Sequence, residues 1–124
     1  MAGREIILNR MVESSLDLVF KALGSPVRRA MLLDLGARER TVGELAQPHS
    51  ISLAAASKHV QVLERAGMVE RTVVGRNHVC RLALQPLEEA YLWLDQHLRF
   101  WDARLDALEA ALARADEAPE GEER

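Results

Sequence analysis

Residues 52–67, Ser52-Leu53-Ala54-Ala55-Ala56-Ser57-Lys58-His59-Val60-Gln61-Val62-Leu63-Glu64-Arg65-Ala66-Gly67, constrain the fold more than any other stretch. At about 100° per residue, Leu53, Ala56, Val60 and Leu63 make one apolar stripe of a helix. Ala54, Ser57, Lys58, Gln61 and Arg65 make the opposite stripe. Ser52 is placed to cap the helix start, and Gly67 to end it as a left-handed C′ residue. The polar stripe is small or hydrogen-bonding at its start and cationic further on. Small residues let a backbone approach a groove, and Ser, Lys and Gln side chains reach base edges or phosphates.

The flanking segments have the spacing that such a helix needs. Thr41-Val42-Gly43-Glu44 is a capping box and opens a short helix ending near Gln47-Pro48. A turn of a few residues then leads to Ser52, which is helix-turn-helix spacing. After Gly67, residues 68–74 and 77–84 are rich in β-branched side chains, with Gly75-Arg76 as the hairpin turn between them. Arg71, Arg76, His78 and Arg81 decorate this ribbon, which can lie along phosphates or in a minor groove. The partner implied is double-stranded DNA, with Ala54, Ser57, Lys58, His59, Gln61, Arg65, Arg76 and Asn77 as the candidate contacts. Ala54 is a spacer unless it meets a thymine methyl. His59 either donates to a phosphate or stabilises the turn. Asn77 also has a sufficient role in turn geometry. Arg71, His78 and Arg81 are weaker candidates, because the sequence does not assign strand faces.

Before the capping box, residues 10–23 carry Val12, Leu16, Val19, Phe20 and Leu23 at helical spacing, and Gly24 ends that helix. Ser25-Pro26 opens the next helix, which runs to about Ala37 and buries a combination of Ala30, Met31, Leu33 and Leu35. Arg28 and Arg29 follow its N-cap, where positive charge is unfavourable, so a structural ion pair with an acid is expected, a phosphate contact by one of them being the alternative. Pro86 opens a last helix over 86–115. Leu87, Tyr91, Leu94, Leu98, Trp101, Leu105, Leu108 and Leu112 alternate by four and three residues, an unbroken heptad seam. Trp93 and Phe100 widen the apolar face. A chain whose core is already made upstream does not need so long a seam, so 86–115 is expected to be a dimerisation helix, with Leu87 to Leu108 at the interface. Lining a small-molecule pocket is the alternative role for Trp93, Phe100 and Trp101. Residues 1–9 are expected to be an N-terminal arm, 10–115 one domain, and 116–124 an acidic disordered tail.

The formal net charge of -3 argues against DNA only until its distribution is considered. Residues 1–82 carry 12 basic and 8 acidic side chains, a net of +4, whereas residues 83–124 carry 4 and 11, a net of -7. Cys80 is the only cysteine, so no intrachain disulfide forms; its alternation with Leu82 suggests a small buried hydrophobe rather than a redox switch. No apolar run approaches the roughly 20 residues of a membrane span, and no secretion signal is visible, so a cytoplasmic address and no membrane partner are expected. Paired carboxylates in a cleft, a glycine-rich phosphate loop, a complete metal set and a nucleophile beside a base are all missing, so an enzyme is not expected.

Three runs, Ala22-Leu23-Gly24-Ser25-Pro26-Val27-Arg28-Arg29, Thr41-Val42-Gly43-Glu44-Leu45-Ala46 and Ala56-Ser57-Lys58-His59-Val60-Gln61-Val62-Leu63-Glu64-Arg65-Ala66-Gly67-Met68-Val69, closely resemble the ArsR family of repressors over roughly residues 19–110. The resemblance implies a mainly α fold with a small β-hairpin wing, that is, a winged helix-turn-helix with a long C-terminal dimerisation helix. It also implies a homodimeric prokaryotic regulator, usually a repressor, bound to an inverted repeat in promoter DNA. Metal-sensing members carry thiolates in the helix-turn-helix, where this chain has Glu44-Leu45-Ala46-Gln47-Pro48. A second family metal site, on the last helix, is matched in its first half by Asp95-Gln96-His97, but its second half falls on Leu108 and Ala111. Two ligands per chain are too few for sensing, so no metal or cofactor is expected and Asp95 and His97 are taken as solvated. A small-molecule effector of unknown identity remains an open partner. The alternatives are a winged-helix protein–protein module and a PadR- or MarR-like ligand-responsive regulator.

Overall fold

The structure, a computed structural model, describes residues 15–117. The arm expected at 1–9, the start of the first helix with Val12, and the tail beyond 117 lie outside the described residues. The chain divides into two units, one up to Ala90 and one from Tyr91.

In the first unit, residues 15–23 are helical (α1). Leu16, Val19 and Ala22 of α1 enter the core, and Leu23 packs on it. Phe20, expected in that stripe, is outside the core, because the buried row runs 16, 19, 22 and position 20 falls at its edge. Helix α2 spans Pro26–Ala37; the Ser25 hydroxyl accepts from the Arg28 N–H, and proline occupies a first-turn position that needs no donor. It buries Met31, Leu32 and Leu35. Leu33, one of the expected core residues, is 79% exposed, since a helix that turns Met31 and Leu35 inward turns position 33 away.

Among the described residues, Arg28 and Arg29 do not form the expected ion pair with an acid. Arg28 donates from Nε to the Ala22 carbonyl at 2.7 Å and from Nη2 to the Lys21 carbonyl at 2.9 Å. Arg29 Nη1 donates to the Leu23 carbonyl at 2.7 Å. The last carbonyls of a helix have no partner within it and carry its negative pole. The two arginines of α2 therefore cap α1 and fix the angle between the helices.

Strand β1 (Arg40–Thr41) leads into α3 (Val42–Ala46), a 3-10 turn (Gln47–His49) and α4 (Leu53–Arg65). Strands β2 (Val69–Val74) and β3 (Asn77–Leu82) follow, and then α5 (Gln85–Asp116). The sheet is antiparallel in the order β1-β3-β2, with Arg71 opposite Cys80 and Thr41 opposite Val79. The two-residue β1 is too short to carry a sequence pattern and was not expected; it ties the front of α3 to the wing. Val42, Leu45, Ala56, Val60, Leu63, Met68, Val69 and Cys80 join α1 and α2 in one core, closed by Ala90 of α5. Cys80 is fully buried, as its alternation with Leu82 suggested, and burial pushes its thiol pKa up.

The second unit is the remainder of α5. This helix is continuous to Asp116, and the Glu117 N–H still reaches the Ala113 carbonyl at 3.1 Å, so the expected tail does not begin at 116. No helix among the described residues is long and apolar enough to cross a membrane.

Candidate nucleic-acid interface

Three local devices lead into and start α4. The capping box at Thr41 is complete: its hydroxyl accepts from the Glu44 N–H at 3.1 Å, and the Glu44 carboxylate accepts from the Thr41 N–H at 3.0 Å. That backbone hydrogen bond and the Arg38 side chain, 2.9 Å away, hold the Glu44 carboxyl at a pKa of about 2. Ser50 makes the turn between the two helices in the left-handed conformation, with φ 51°. The Ser52 hydroxyl then accepts from the Ala55 N–H at 3.1 Å and starts α4.

The end of α4 is equally determined. Gly67 has φ 76°, its N–H reaches the Glu64 carbonyl, and the Met68 N–H reaches the Leu63 carbonyl at 3.0 Å. These crossed bonds form a Schellman turn, closed by the buried side chains of Leu63 and Met68. A Cβ on Gly67 would lie 3.3 Å from the Pro86 ring, so the backbone conformation and the space both favour glycine here. The turn sends the chain straight into β2 and so sets where the wing starts relative to α4.

Ala54 and Ser57 of α4, Arg76 and Asn77 of the hairpin tip, and Thr41 to Gly43 at the start of α3 line one cleft of about 690 Å³. The cleft also includes Leu53, Arg71 and His78. Ala54, Ser57, Arg76 and Asn77 of the expected contact set are thus brought together. Lys58, Gln61 and Arg65 continue along the exposed side of α4 beyond the cleft. His59 stands apart from them: it is half-buried, with Nδ1 3.2 Å from Arg28 Nη1. Its pKa lies below the ordinary 6.5, first because of burial, then the Arg28 charge, then His49.

The placement of two cleft residues, Leu53 and His78, is not fixed by the sequence pattern alone. Leu53 was assigned to the apolar stripe but is 62% exposed. It occupies the first helical position, where side chains lean toward the N-terminus and overhang the core instead of entering it. His78 was a weak candidate only because strand faces were unassigned. The register places Val69, Arg71 and Val73 opposite Leu82, Cys80 and His78 on the sheet face that includes the buried Cys80. Arg81 and Glu70 are opposed to each other on the other face and form an ion pair there. Arg71 pairs with Glu64, with Nη2 2.6 Å from Oε1.

In the second unit, Tyr91, Leu94, Leu98, Trp101, Leu105, Leu108 and Leu112 are all exposed in the single chain. Leu87, expected at the head of this seam, belongs to the first unit and packs against its core. His97 stacks on Trp93 with ring centroids 4.0 Å apart, and Asp95 pairs with Arg99. Among the described residues, no three His, Cys, Asp or Glu side chains are grouped to hold a metal ion.

A helix-turn-helix domain family matches residues 23–72. No curated protein matches the chain. Among solved structures, an ArsR-like transcriptional regulator from Rhodococcus sp. RHA1 is 30% identical, covers 80% of this chain and 93% of its own, and superposes with a TM-score of 0.69. The homodimeric winged helix-turn-helix DNA-binding domain of a possible ArsR-family regulator from Mycobacterium bovis is 27% identical, with 74% and 89% covered and a TM-score of 0.59. The transcriptional repressor BigR from Xylella fastidiosa is 30% identical, with 78% and 95% covered and a TM-score of 0.52. With the helix-turn-helix, the wing and the long last helix all in place, the chain belongs to the ArsR family of winged helix-turn-helix transcriptional regulators.

Proposed function

We propose that the chain is a homodimeric, metal-independent repressor that binds an inverted repeat in promoter DNA in the cytoplasm. The observation that carries this reading is the single cleft shared by Ala54 and Ser57 of α4 and by Arg76 and Asn77 of the wing tip. In it, α4 enters the major groove. Ser57, Lys58 and Gln61 meet base edges, while Arg65 and Arg76 meet phosphates. The exposed Leu53 and Ala54 offer apolar contact to thymine methyls. His59, held by Arg28, supports the helix from behind rather than reaching DNA.

Dimerisation follows from the exposed Tyr91-to-Leu112 seam, which a single chain leaves in water. The homodimeric Mycobacterium bovis relative and the Xylella fastidiosa repressor support the assembly and the sign of regulation. Metal independence rests on residue types: Ala46 and Pro48 cannot supply thiolates, and Leu108 and Ala111 cannot ligate. A footprint on the DNA upstream of the gene tests the reading. Two protected half-sites about one helical turn apart are expected; a single protected half-site would contradict a symmetric dimer.

A further inference from the structure

We infer that Arg71 is a positioning residue for base reading: it fastens the wing to α4 and fixes Ser57 as a hydrogen-bond donor toward DNA. The inference rests on the reading of α4 as the recognition helix.

Arg71 leaves β2 on the sheet face it shares with the buried Cys80. Its Nε and Nη2 both donate to Glu64 Oε1, at 3.1 and 2.6 Å, and its Nη1 donates to Ser57 Oγ at 3.4 Å. One guanidinium thus bridges two points of α4 that lie seven residues apart. With side-chain exposures of 15% and 32%, this is the most sheltered of the four ion pairs among the described residues. Shelter and a planar fork make such a pair stronger and more directional than an exposed one. Glu64 neutralises the guanidinium, so Arg71 lines the cleft without being a free cation for phosphates. Arg76, at the exposed hairpin tip, is the residue suited to that task.

The bond to Ser57 has a consequence for sequence choice. A hydroxyl has one hydrogen to give and two lone pairs to receive with. With a lone pair occupied by Arg71, the Ser57 hydrogen points away from the wing, into the cleft. Ser57 then favours the acceptor edges of guanine, adenine N7 or thymine O4 over the cytosine amino group. Lysine cannot replace this arginine, because a point charge does not hold Glu64 and Ser57 in one plane.

The test measures binding of the full-length protein to its operator and to a set of operators with each base pair substituted in turn. Ser57→Ala should lose about tenfold discrimination per half-site at one base pair. Arg71→Ala, Arg71→Lys and Glu64→Gln should lose discrimination at that same base pair. Arg71→Ala combined with Ser57→Ala should lose no more there than either alone. Cys80, the only thiol, gives a DNA-free readout. Its labelling by a thiol reagent should accelerate in Arg71→Ala, with the melting curve still cooperative, and stay unchanged in Ser57→Ala. An Arg71→Lys variant that discriminates like the native protein overturns the inference, as does an Arg71→Ala variant that weakens all sequences evenly. Unchanged Cys80 labelling in Arg71→Ala overturns it too. Failure of the native protein to prefer any sequence overturns this inference and the functional reading together, whereas native preference with intact discrimination in the variants overturns this inference alone.

Discussion

Arg28 closes the end of α1 and also meets His59 on α4, so one side chain joins three helices. The His59 contact requires a neutral ring, because an imidazolium would present a second positive charge to the guanidinium. Folded His59 therefore binds its proton less readily than the unfolded residue, whose ordinary pKa is 6.5. In the interval below that value the unfolded chain takes up more protons, so stability is complete above it and falls as pH drops through the interval. Denaturant midpoints at about pH 7.5 and about pH 5.5 should differ in the native protein and differ less in His59→Gln. Glu44 behaves similarly at lower pH: its contribution is complete above the ordinary 4.5 and is lost as pH falls toward about 2. Thr41→Ala removes the hydroxyl half of that capping box and should destabilise the protein by about 1 kcal/mol in urea unfolding.

At the scale of elements, Gln61→Ala should weaken specific binding by about 1–3 kcal/mol while leaving nonspecific binding unchanged. Arg76→Ala should weaken all sequences alike and lower the salt slope by about one for each arginine removed. Anisotropy titrations at several salt concentrations separate the two behaviours. The elements behind these predictions were legible because their ends carry local chemistry: Ser25, Thr41 and Ser52 cap as their side chains suggested, and Gly67 adopts the expected left-handed turn. Two residues in β1 carry no pattern, and whether Leu53 or Leu33 faces the core depends on where neighbouring elements stop. The Arg71–Glu64 bridge was invisible for a related reason, since it depends on which strand face packs on α4, and that follows from register rather than composition.

At the scale of the molecule, the first two thirds and the last third of the chain differ in composition. The basic first part carries the proposed DNA face, and the acidic last part carries an apolar seam whose leucines are exposed in one chain. Leu98→Glu places a charge in the middle of that seam and should shift sedimentation from dimer to monomer. The same variant should lose operator affinity, because each subunit alone makes only one half of the contacts. In the proposed function this chain reads a specific duplex as a dimer without a metal. The most direct measurement is a fluorescence-anisotropy titration of the purified protein on the DNA upstream of its gene, against scrambled duplex, repeated with chelator and with zinc. Tight binding to the upstream DNA alone, unchanged by either addition, is expected; equal binding to both duplexes would rule out specific reading, and release by zinc would rule out metal independence.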